Sequence, residues 1–561
     1  MVRLLSRGRR RQLAALLALT LFAGACSSGG GDDPGGSDGA TEPTVEDEGT
    51  PVRGGEVTYA LEAETDDGWC LPEAQLAISG IQVARTIYDT LTAPNADGEI
   101  EPYLAESVEP NADFTEWTIK LREGITFHDG SALDAQIVKD NLDAYRGTNP
   151  ARAPLLFLFV FGNIAETAVV DPLTVSVTTK TPWVAFPWYL WSSSRLGIVG
   201  RSQLEAPPEG CAKDLVGTGP FKLESWTVGS EFVAVRNESY WQDGVDGEPL
   251  PYLDKITYTP IDEVAQRVNS LETTGAGGVD LMHTSDTEQL VERLRPLQES
   301  GDINILESDR FGEVNYLMLN SSIEPFNNKN ARMAVAQAID REFLDQVRGG
   351  GIGTIANGPF AEDVMGYLED TGYPEFDVDA AKASVAAYKE ETGKDLEFTY
   401  SFAAGESGTL TSQEIQKQLQ EAGIKMTPQA EGNQSSLIDK AIAGTFQAVG
   451  WRNHPGADPD TQYVWWYYGA GNPVNFGRIN DPEVDRLLDE GRSTPEGRQE
   501  IYEDLNRRFG SEVYNIWTTF TIWGIGSKTN VHGILGPDLP AGGKPFPGLG
   551  TGHYVHGLWL S

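Results

Sequence analysis

Segments with strand character alternate with segments of helical spacing from about residue 54 to the end of the chain, and this alternation restricts the possible folds strongly. Alternating apolar and polar residues, rich in β-branched and aromatic side chains, predict strands over residues 56–60, 116–121, 173–179, 231–237, 255–261, 314–320, 396–402 and 446–452. About 508 residues follow residue 53 (561 less 53), more than one hydrophobic core usually serves. The sequence therefore predicts an α/β fold with two or more lobes.

Capping residues predict where two of the helices begin. Thr411 and Glu414 have the spacing of a capping box, which predicts a helix that begins at Thr411. Asp481 is followed by Pro482, the order preferred at an N-cap and a first helical position. Both predicted helices lie between predicted strands, as expected for mixed α/β lobes.

The N-terminus has the pattern of an export signal. Five arginines within the first 11 residues precede an apolar run over residues 13–23 that is too short to span a bilayer. The run ends in LFAGAC, which looks like a bacterial lipobox in which Cys26 becomes the first mature residue and carries a lipid. We therefore expect a signal peptide over residues 1–25 and an extracytoplasmic protein anchored through Cys26 to the outer face of the cell membrane. A plain secretory signal before an ordinary cysteine is the alternative, and either the general or the twin-arginine export route is possible.

Residues 26–53 are predicted to be a disordered tether that starts at the lipidated cysteine. After Cys26 the segment contains Gly, Ser, Asp, Glu, Pro and Thr with almost no apolar side chains, so it cannot bury enough surface to fold. Such a segment is flexible and self-repelling, and it would hold a folded body away from the membrane.

Cysteine usage agrees with an oxidising compartment. If Cys26 carries a lipid, Cys70 and Cys211 remain as an even pair, and a disulfide between them is the simplest interpretation. Two separate buried thiols are the alternative.

The chain is strongly acidic. It contains 42 Lys and Arg against 83 Asp and Glu, a formal charge of −41, and removal of the five signal arginines would leave about −46. Such a surface repels phosphate backbones and anionic headgroups, which excludes nucleic acid as a partner. We interpret the charge as a solubilising surface; attraction of cationic solutes is the alternative.

Residues 117–135 read WTIKLREGITFHDGSALDA and predict a strand, a turn at Asp129 and Gly130, and a helix from Ser131. The segment also resembles one that marks the extracellular solute-binding proteins of ABC importers, family 5, the peptide, opine and nickel group. Further segments similar to that family follow in its order: VGTGPFKLESW, NESYWQDGVDGEPLPYLDKITYTPIDEVAQRVNSLETTGAGGVDL, NYLMLNSSIEPFNNKNARMAVAQAIDREFL, GWRNHPGADPDTQY and NFGRINDPEVDRLLDEGRSTPEGRQEIYEDLNRRF. Because the resemblance extends from residue 54 to about 520, the chain is identified as a member of that family.

The resemblance implies a bilobal fold of the periplasmic-binding-protein type II with an extra family-specific subdomain. It implies a lobe I over residues 54–312 with a subdomain inserted at about 92–194, a lobe II over 313–527, and a C-terminal return to lobe I over 528–561. The implied function is a membrane-tethered receptor, expected to be a monomer, that closes on a solute between its lobes and delivers it to an ABC permease and ATPase complex.

Two other functions are alternatives to this receptor. A surface lipoprotein that senses a solute without importing it has the same sequence features. A secreted hydrolase is disfavoured, because the GxSxG match at residues 35–39 lies in the predicted tether, where no strand and helix flank it. The sequence contains no HExxH and no phosphate-binding GxxxxGK[ST], so we expect no enzymatic activity and no cofactor.

Three clusters of aromatic and polar residues are candidates for the solute site, since α/β sites form where loops leave strand ends. They lie in ETDDGWCLP, in PWVAFPWYLWSSSR and between Trp451 and Phe476. The predicted ligand-binding residues are Asp66, Trp69, Trp188, Trp191, Trp451, Asn453, His454, Asp458, Tyr463, Trp466 and Asn475. Asp66 and Asp458 are the candidate partners of a cation, and ordinary packing is the alternative for about half of the aromatics.

His454 is the main departure from the family pattern. Peptide-binding members tend to carry an aspartate at this place, where it pairs with the free ammonium of the peptide, and an imidazole is a poor partner for a cation. The substitution disfavours ordinary peptides and leaves opines, sugars, modified peptides and chelated metals open. The GHYVHG segment, with His553 and His556, has too few ligands to predict a metal site.

Overall fold

The computed structural model describes residues 49–65, 68–193, 195–453 and 456–561. The predicted signal peptide, Cys26 and the predicted tether up to residue 48 lie outside the described residues. The strands in chain order are β1 (Glu56–Leu61), β2 (Thr92–Pro94), β3 (Ile100–Pro102), β4 (Ala105–Pro110), β5 (Glu116–Leu121), β6 (Ile164–Asp171), β7 (Thr174–Thr179), β8 (Phe221–Thr227), β9 (Glu231–Arg236), β10 (Lys255–Pro260), β11 (Leu281–Thr284), β12 (Ile303–Ser308), β13 (Val314–Leu319), β14 (Thr354–Ile355), β15 (Glu397–Ala403), β16 (Lys425–Glu431), β17 (Ala448–Asn453), β18 (Asn515–Phe520), β19 (Trp523–Lys528), β20 (Val531–His532) and β21 (Trp559–Leu560). All eight predicted strands are confirmed, each within two residues of its predicted ends.

The helices lie between these strands along the chain. In chain order they are α1 (Ile78–Ile87), α2 (Ala135–Tyr145), α3 (Leu158–Phe161), α4 (Phe186–Tyr189), α5 (Arg201–Leu204), α6 (Pro208–Lys213), α7 (Val264–Glu272), α8 (Thr287–Gln289), α9 (Arg295–Glu299), α10 (Lys329–Ala338), α11 (Arg341–Arg348), α12 (Val378–Thr392), α13 (Glu406–Glu421), α14 (Gln434–Ala443), α15 (Tyr463–Trp466), α16 (Pro482–Ser493) and α17 (Arg498–Glu512). A π-helical turn, Leu290–Leu294, joins α8 to α9, and a 3-10 turn, Pro459–Gln462, precedes α15.

Two large mixed sheets form the centres of the two lobes. Within the described ranges, the lobe I sheet has the strand order β12-β19-β11-β1-β10-β9-β8, and the lobe II sheet has the order β14-β18-β13-β17-β15-β16. In lobe I, β1 is parallel to β10 and β11; in lobe II, β15 is parallel to β16 and β17. The predicted α/β bilobal fold is confirmed.

The chain passes between the two sheets at residues 309–313 and again at residues 521–522. The two crossing segments lie side by side, since the Thr521 amide donates to the Glu313 carbonyl at 2.7 Å. Strand β19 already belongs to the lobe I sheet, so the chain returns to lobe I before the boundary expected between residues 527 and 528.

The segment 117–135 begins in β5, which belongs to a separate four-stranded sheet of order β4-β5-β7-β6, counted over the described residues. Strand β5 and the turn at Gly130, where φ is +83°, are confirmed. The helix, however, begins at Ala135 with Asp134 as its N-cap, not at Ser131. The reason is that residues 131–133 are held extended, because the amide of Phe127 donates to the carbonyl of Ser131 and that of Leu133 to the carbonyl of Ile125.

The two capping predictions had different outcomes. Asp481 caps α16 by accepting the Glu483 amide at 3.0 Å, as predicted. The predicted start at Thr411 is wrong, because α13 already begins at Glu406 with Gly405 as its N-cap. The chain leaves β15 at Ala403 and enters α13 almost at once, so this connection, rather than a side-chain cap, sets where the helix begins.

Cys70 and Cys211 are joined by a disulfide with their Cα atoms 5.0 Å apart. The bond ties the loop after β1 to α6, and the amide of neighbouring Trp69 donates to the Ala212 carbonyl at 2.9 Å. Among the described residues, no helix combines the length and the apolar character needed to cross a membrane.

Candidate functional site: a cleft between the two lobes

A cleft of about 1230 Å³ lies between the lobe I and lobe II sheets. Parallel strands of both sheets point their carboxyl ends at it, so the residues that follow these strands form its walls. Glu62 follows β1 and Ser285 follows β11 on the lobe I side, while Arg452 and Asn453 end β17 on the lobe II side. Crevices at the carboxyl ends of strands are where α/β sheets generally bind ligands.

Aromatic side chains line much of the lobe II wall. Trp451 of β17 packs edge-on against Phe476, with ring centroids 5.7 Å apart, and Trp465 lies 5.8 Å from the same ring. Tyr400 and Phe402 of β15 are stacked at 5.9 Å. These rings, all of which line the cleft, provide flat apolar surfaces against which a solute can pack.

An ion pair crosses the cleft from one lobe to the other. Nη2 of Arg452 donates to Oε1 of Glu62 at 2.7 Å, and its Nη1 donates to the Ser285 hydroxyl. Glu313, in the crossing segment, accepts from Nε1 of Trp523 at 2.9 Å and contributes to the field at Arg452. A change in the angle between the lobes would therefore change the distance between Glu62 and Arg452 inside the cleft.

Two further arginines line the cleft close to this pair. Arg267 of α7 is only 3% exposed and donates from Nη1 to the carbonyls of Ile261 and Asp262. Arg195 lies in the segment after α4 and donates from Nε to the Leu76 carbonyl at 3.0 Å. We name the five residues Glu62, Arg195, Arg267, Glu313 and Arg452 the cleft cluster.

Electrostatics inside the cleft cluster favour negative charge at Glu62. Burial alone would raise the pKa of Glu62, but Arg452, His283 and Arg267 together lower it to about 2. His283 accepts the Glu62 amide at Nε2, 3.0 Å away, and burial lowers the pKa of His283 to about 4, so this ring is neutral near pH 7. The guanidinium groups therefore outweigh the local cost of burying a carboxylate.

The predicted site residues fall into separate places. Trp451 and Asn453 line the cleft, whereas Asp66 and His454 lie outside the described residues. The remaining predicted residues are buried and do not line the cleft: Trp69, Trp188, Trp191, Asp458, Tyr463, Trp466 and Asn475.

The three predicted tryptophans Trp69, Trp188 and Trp191 pack against other aromatic side chains of the protein. Trp69 lies edge-on against Trp226 and Phe232, with ring centroids 5.7 and 5.3 Å away. Trp188 and Trp191 lie against each other at 5.8 Å and are 6% and 1% exposed. Their role is packing, which corrects the prediction that they contact the solute.

Asp458 and Asp460 belong to a second group of buried charges, which joins lobe II to the segment that follows β7. Asp458 forms two bonds of 2.7 Å to Nη1 and Nη2 of Arg498. Asp460 accepts from Nε of Arg492 at 2.9 Å and from Nε1 of Trp183 at 2.8 Å. We name Asp458, Asp460, Arg492 and Arg498 the joint cluster; since Asp458 is fully paired there, it is not the cation partner that was predicted.

The aromatic and amide residues near the joint cluster are also structural. The ring of Tyr463 lies 3.5 Å beneath the Arg492 guanidinium, and its hydroxyl donates to Asp489 at 2.8 Å. Trp466 packs on Phe509 at 4.6 Å. Asn475 donates to the Trp466 and Ile479 carbonyls and accepts the Ile479 amide, which fixes the turn before α16.

Sequence reasoning missed four members of the cleft cluster, Glu62, Arg267, Glu313 and Arg452. A signal for two of them was present, because Glu62 follows the predicted strand 56–60 and Arg452 ends the predicted strand 446–452. Because sites form at strand ends, the position and charge of both residues were sufficient to predict them as site residues.

The histidines of GHYVHG are buried and have protein partners. Nε2 of His553 lies 3.0 Å from the Tyr59 hydroxyl, and His556 packs against the rings of Tyr240 and Tyr554. In the part of the chain that the structure describes, no group of three or more His, Cys, Asp or Glu side chains is placed to hold a metal ion.

Comparisons with known proteins agree with this architecture. The family profile described as bacterial extracellular solute-binding proteins, family 5 Middle, matches residues 99–475. The glutathione-binding protein GsiB of Salmonella typhi is 31% identical over 447 residues, which cover 73% of this chain and 81% of that protein. GsiB of Salmonella paratyphi A is 31% identical over 61% of this chain and 63% of its own length.

Solved structures have the same fold over most of the chain. The binding protein AgaA from A.tumefacien R10, in complex with agropinic acid, is 25% identical with a TM-score of 0.78 over 90% of this chain and 99% of that one. The oligopeptide-binding protein AppA from Bacillus subtilis, in complex with a nonapeptide, is 19% identical with a TM-score of 0.78 over 91% of this chain and 100% of that one.

Proposed function

We propose that this chain, which belongs to the bacterial extracellular solute-binding proteins of family 5, is a membrane-tethered receptor of an ABC importer. It captures a peptide-like or other small polar solute between its lobes and presents the solute to the permease. The observation that carries the proposal is the cleft, whose walls are strand ends of both sheets. A solute bound there touches both lobes, so the closed form gains contacts that an open form lacks.

The size of the cleft supports a solute larger than a single amino acid. Its volume of about 1230 Å³ exceeds the range of about 300–1,000 Å³ common for small-molecule pockets. The relatives named above bind glutathione, agropinic acid or a nonapeptide, which are amino-acid derivatives or peptides of suitable size. These names support a peptide or a modified amino acid more than a simple sugar or a bare metal ion.

The proposed receptor binds its solute without changing it. The relatives are solute-binding proteins, so a solute incubated with this chain and then released should be recovered intact. If a hydrolysed product were recovered instead, and substitution of a cleft residue abolished the hydrolysis, the chain would be an enzyme.

The proposed membrane tether rests on the N-terminal sequence. If Cys26 carries a lipid, the chain made in a bacterial host should fractionate with membranes, and Cys26→Ala should release it or stop its processing. A chain with Cys26→Ala that still fractionates with membranes to the same extent would contradict the lipid anchor.

The binding function can be tested by ligand-induced stabilisation of the mature chain. Peptides, glutathione, opines, sugars and metal chelates would each be added during thermal unfolding. A true ligand present at one hundred times its Kd should stabilise the folded chain by about 3 kcal/mol. We expect the largest effect from a peptide-like or opine-like member of the set.

Variants then locate the bound solute. Trp451→Leu removes an aromatic wall of the cleft and should weaken binding about tenfold, the order of an aromatic contact. Tyr468→Leu is the matched control, because Tyr468 is 40% exposed and does not line the cleft. Equal binding by both variants would place the solute elsewhere and contradict the proposal.

A further inference from the structure

A second ion pair joins the two lobes at the wall of the cleft. Glu288 belongs to α8, between β11 and β12 of the lobe I sheet, and Arg348 ends α11, between β13 and β14 of the lobe II sheet. Nη2 of Arg348 lies 2.7 Å from Oε2 of Glu288, and both residues line the cleft. The side chains of Arg348 and Glu288 are 16% and 26% exposed. Water therefore screens this pair less than it screens a fully exposed one.

The surroundings of Glu288 within lobe I disfavour its negative charge. Burial has the largest effect and raises the pKa of Glu288, and the neighbouring acids Asp286 and Glu292 raise it further. Arg348 of lobe II acts in the opposite direction and lowers this pKa. The carboxylate is thus compensated from across the cleft, so that separation of the lobes would leave it among other acids.

The loop after α11 touches the same part of lobe I through a glycine. Gly350 has a φ of +69°, and a Cβ atom there would lie 3.0 Å from Cγ2 of Val291 and 3.3 Å from the carbonyl oxygen of Thr287. Gly351 has nearly the same φ, +71°, but among the described residues its Cβ would have one neighbour within 4 Å, Cα of Gln346 at 3.9 Å. Of these two glycines, therefore, Gly350 is the one that lies against lobe I.

Hydrogen bonds hold this loop on lobe II. The carbonyl of Asp345 in α11 accepts the amides of Gly349 and Gly351 at 2.6 and 3.2 Å, and its carboxylate accepts the amide of Gly353 at 3.1 Å. The loop is thus expected to move with lobe II. The contact between the loop and Val291 then exists only while the lobes are together.

These contacts with lobe II fall on one short stretch of lobe I, residues 285–291. Its first residue, Ser285, accepts from Arg452 at the end of β17, and the contacts of Glu288 and Val291 follow within six residues. The stretch leads into the π-helical turn that joins α8 to α9. Because π-helical turns are rare and frequently lie at functional sites, this stretch is a candidate for a role in the closing motion.

We propose that residues 285–291 of lobe I, together with the end of α11 and its glycine loop, form a latch that holds the two lobes closed. Glu288, Arg348 and Gly350 are positioning residues, since they act on the placement of the lobes and not on the solute. Contacts that exist in only one of two states shift the equilibrium toward that state. The latch, which rests on the closing motion proposed above, does not depend on which solute is bound.

Such a latch changes the affinity for a solute without touching it. Where the closed form is already populated, less of the binding free energy is needed to close the lobes, and the apparent affinity rises with the closed fraction. A partly exposed ion pair is also weak enough to break, so the lobes can reopen and release the solute.

The test measures the distance between the lobes with no solute present. Nitroxide labels on Gln298→Cys in α9 of lobe I and Gln420→Cys in α13 of lobe II report this distance by pulsed electron paramagnetic resonance, and both positions are exposed. The mature chain carries Cys26→Ala in this experiment. Cys70 and Cys211 take up no label, because they are joined in a disulfide.

Charge variants test the ion pair. We expect Arg348→Gln to lower the ratio of closed to open molecules about 3- to 10-fold relative to the wild type, as the loss of a partly shielded pair implies. Arg348→Glu should lower the ratio further, because it places two carboxylates opposite each other. The exchanged pair, Glu288→Arg with Arg348→Glu, should recover the short distances of the wild type.

Two glycine variants separate the contact between the lobes from strain within the loop. Gly350→Ala and Gly351→Ala both place alanine at a left-handed φ, so the strain is similar, but Gly350→Ala alone meets Val291 of lobe I. We expect Gly350→Ala to lengthen the distances and Gly351→Ala to match the wild type. Arg201→Gln is the charge control, because Arg201 is exposed, pairs with Asp140 and does not line the cleft.

Unchanged distances in Arg348→Glu, or an exchanged pair that stays as open as Arg348→Glu, would overturn the latch. Equal shifts in the two glycine variants would show that strain in the loop, and not its contact with lobe I, moves the lobes. These outcomes are separate from solute binding, since no solute is present. If the variants shift the distances as expected while no peptide-like probe binds, the latch stands and the proposed solute class is wrong.

Discussion

The joint cluster and the cleft cluster are both groups of largely buried arginines and acids, but they differ in how the charges are paired. In the joint cluster, Arg492 and Arg498 each have their own aspartate at 2.9 and 2.7 Å. In the cleft cluster, three arginines face two glutamates, and only Arg452 has a close carboxylate partner among the described residues. The two clusters thus use the same residue types for different purposes.

The difference shows how to distinguish charges that hold the fold from charges that can bind a ligand. A buried pair whose hydrogen bonds are all satisfied has no capacity left, and removing one partner leaves an uncompensated charge. A charged side chain that lines a cleft and has unused hydrogen-bond donors is desolvated without a partner. A bound solute can offset this desolvation cost, and such charges are typical of functional sites.

The largest effect is expected from breaking the joint cluster. Asp460→Asn leaves the Arg492 guanidinium buried, 5% exposed, without its carboxylate, and should lower the free energy of unfolding by about 3–5 kcal/mol. Urea denaturation of the purified chain measures this. Glu483→Gln, in the same helix α16 as Arg492, breaks an exposed pair with Arg486 and should change the stability very little.

The double variant Asp460→Asn with Arg492→Met sharpens the same prediction. Because it removes the stranded charge, it should recover a large part of the lost stability. If the double variant were as unstable as Asp460→Asn, packing around Trp183, rather than charge pairing, would stabilise the joint cluster.

The next effect concerns acid and the pair between the lobes. The pKa of Glu62 in the folded chain, about 2, is below the usual 4.5, so the pair contributes stability that is complete above pH 4.5 and is lost as the pH falls toward 2. Glu62→Gln lacks this titration. Between about pH 6 and about pH 2.5, the wild type should therefore lose about 3 kcal/mol more than the variant in the free energy of unfolding. Parallel losses would mean that Glu62 is not stabilised by the cleft arginines.

The smallest effect on stability is expected from Arg195, which has no carboxylate partner among the described residues. Arg195→Met removes an unpaired cation and should change the free energy of unfolding by no more than about 1 kcal/mol, in either direction. The same urea denaturation, without solute, measures it. If Arg195→Met lowered the free energy of unfolding as much as Asp460→Asn does, Arg195 would be a residue that holds the fold. The two clusters would then not differ in function.

Much of the scaffold could be predicted from the sequence, because strand periodicity and N-caps such as Asp481 depend on residues close together in the chain. The site could be predicted only in part. The segment from Trp451 to Phe476 is rich in aromatics, but the packing on both of its sides decides which rings face the cleft. Trp451 faces the cleft, whereas Tyr463 packs against Arg492 of the joint cluster and Trp466 packs against Phe509 of α17.

The sequence by itself determined the family, the α/β class and the strands, since these depend on local periodicity and on ordered motifs. Only the tertiary structure decided which charges are paired. Glu62 and Arg452 stand 390 residues apart in the chain and meet because two sheets point their strand ends at one cleft. Desolvation and pairing depend on neighbours in space, and for that reason Asp458 is paired within the joint cluster while Arg195 has no carboxylate partner among the described residues.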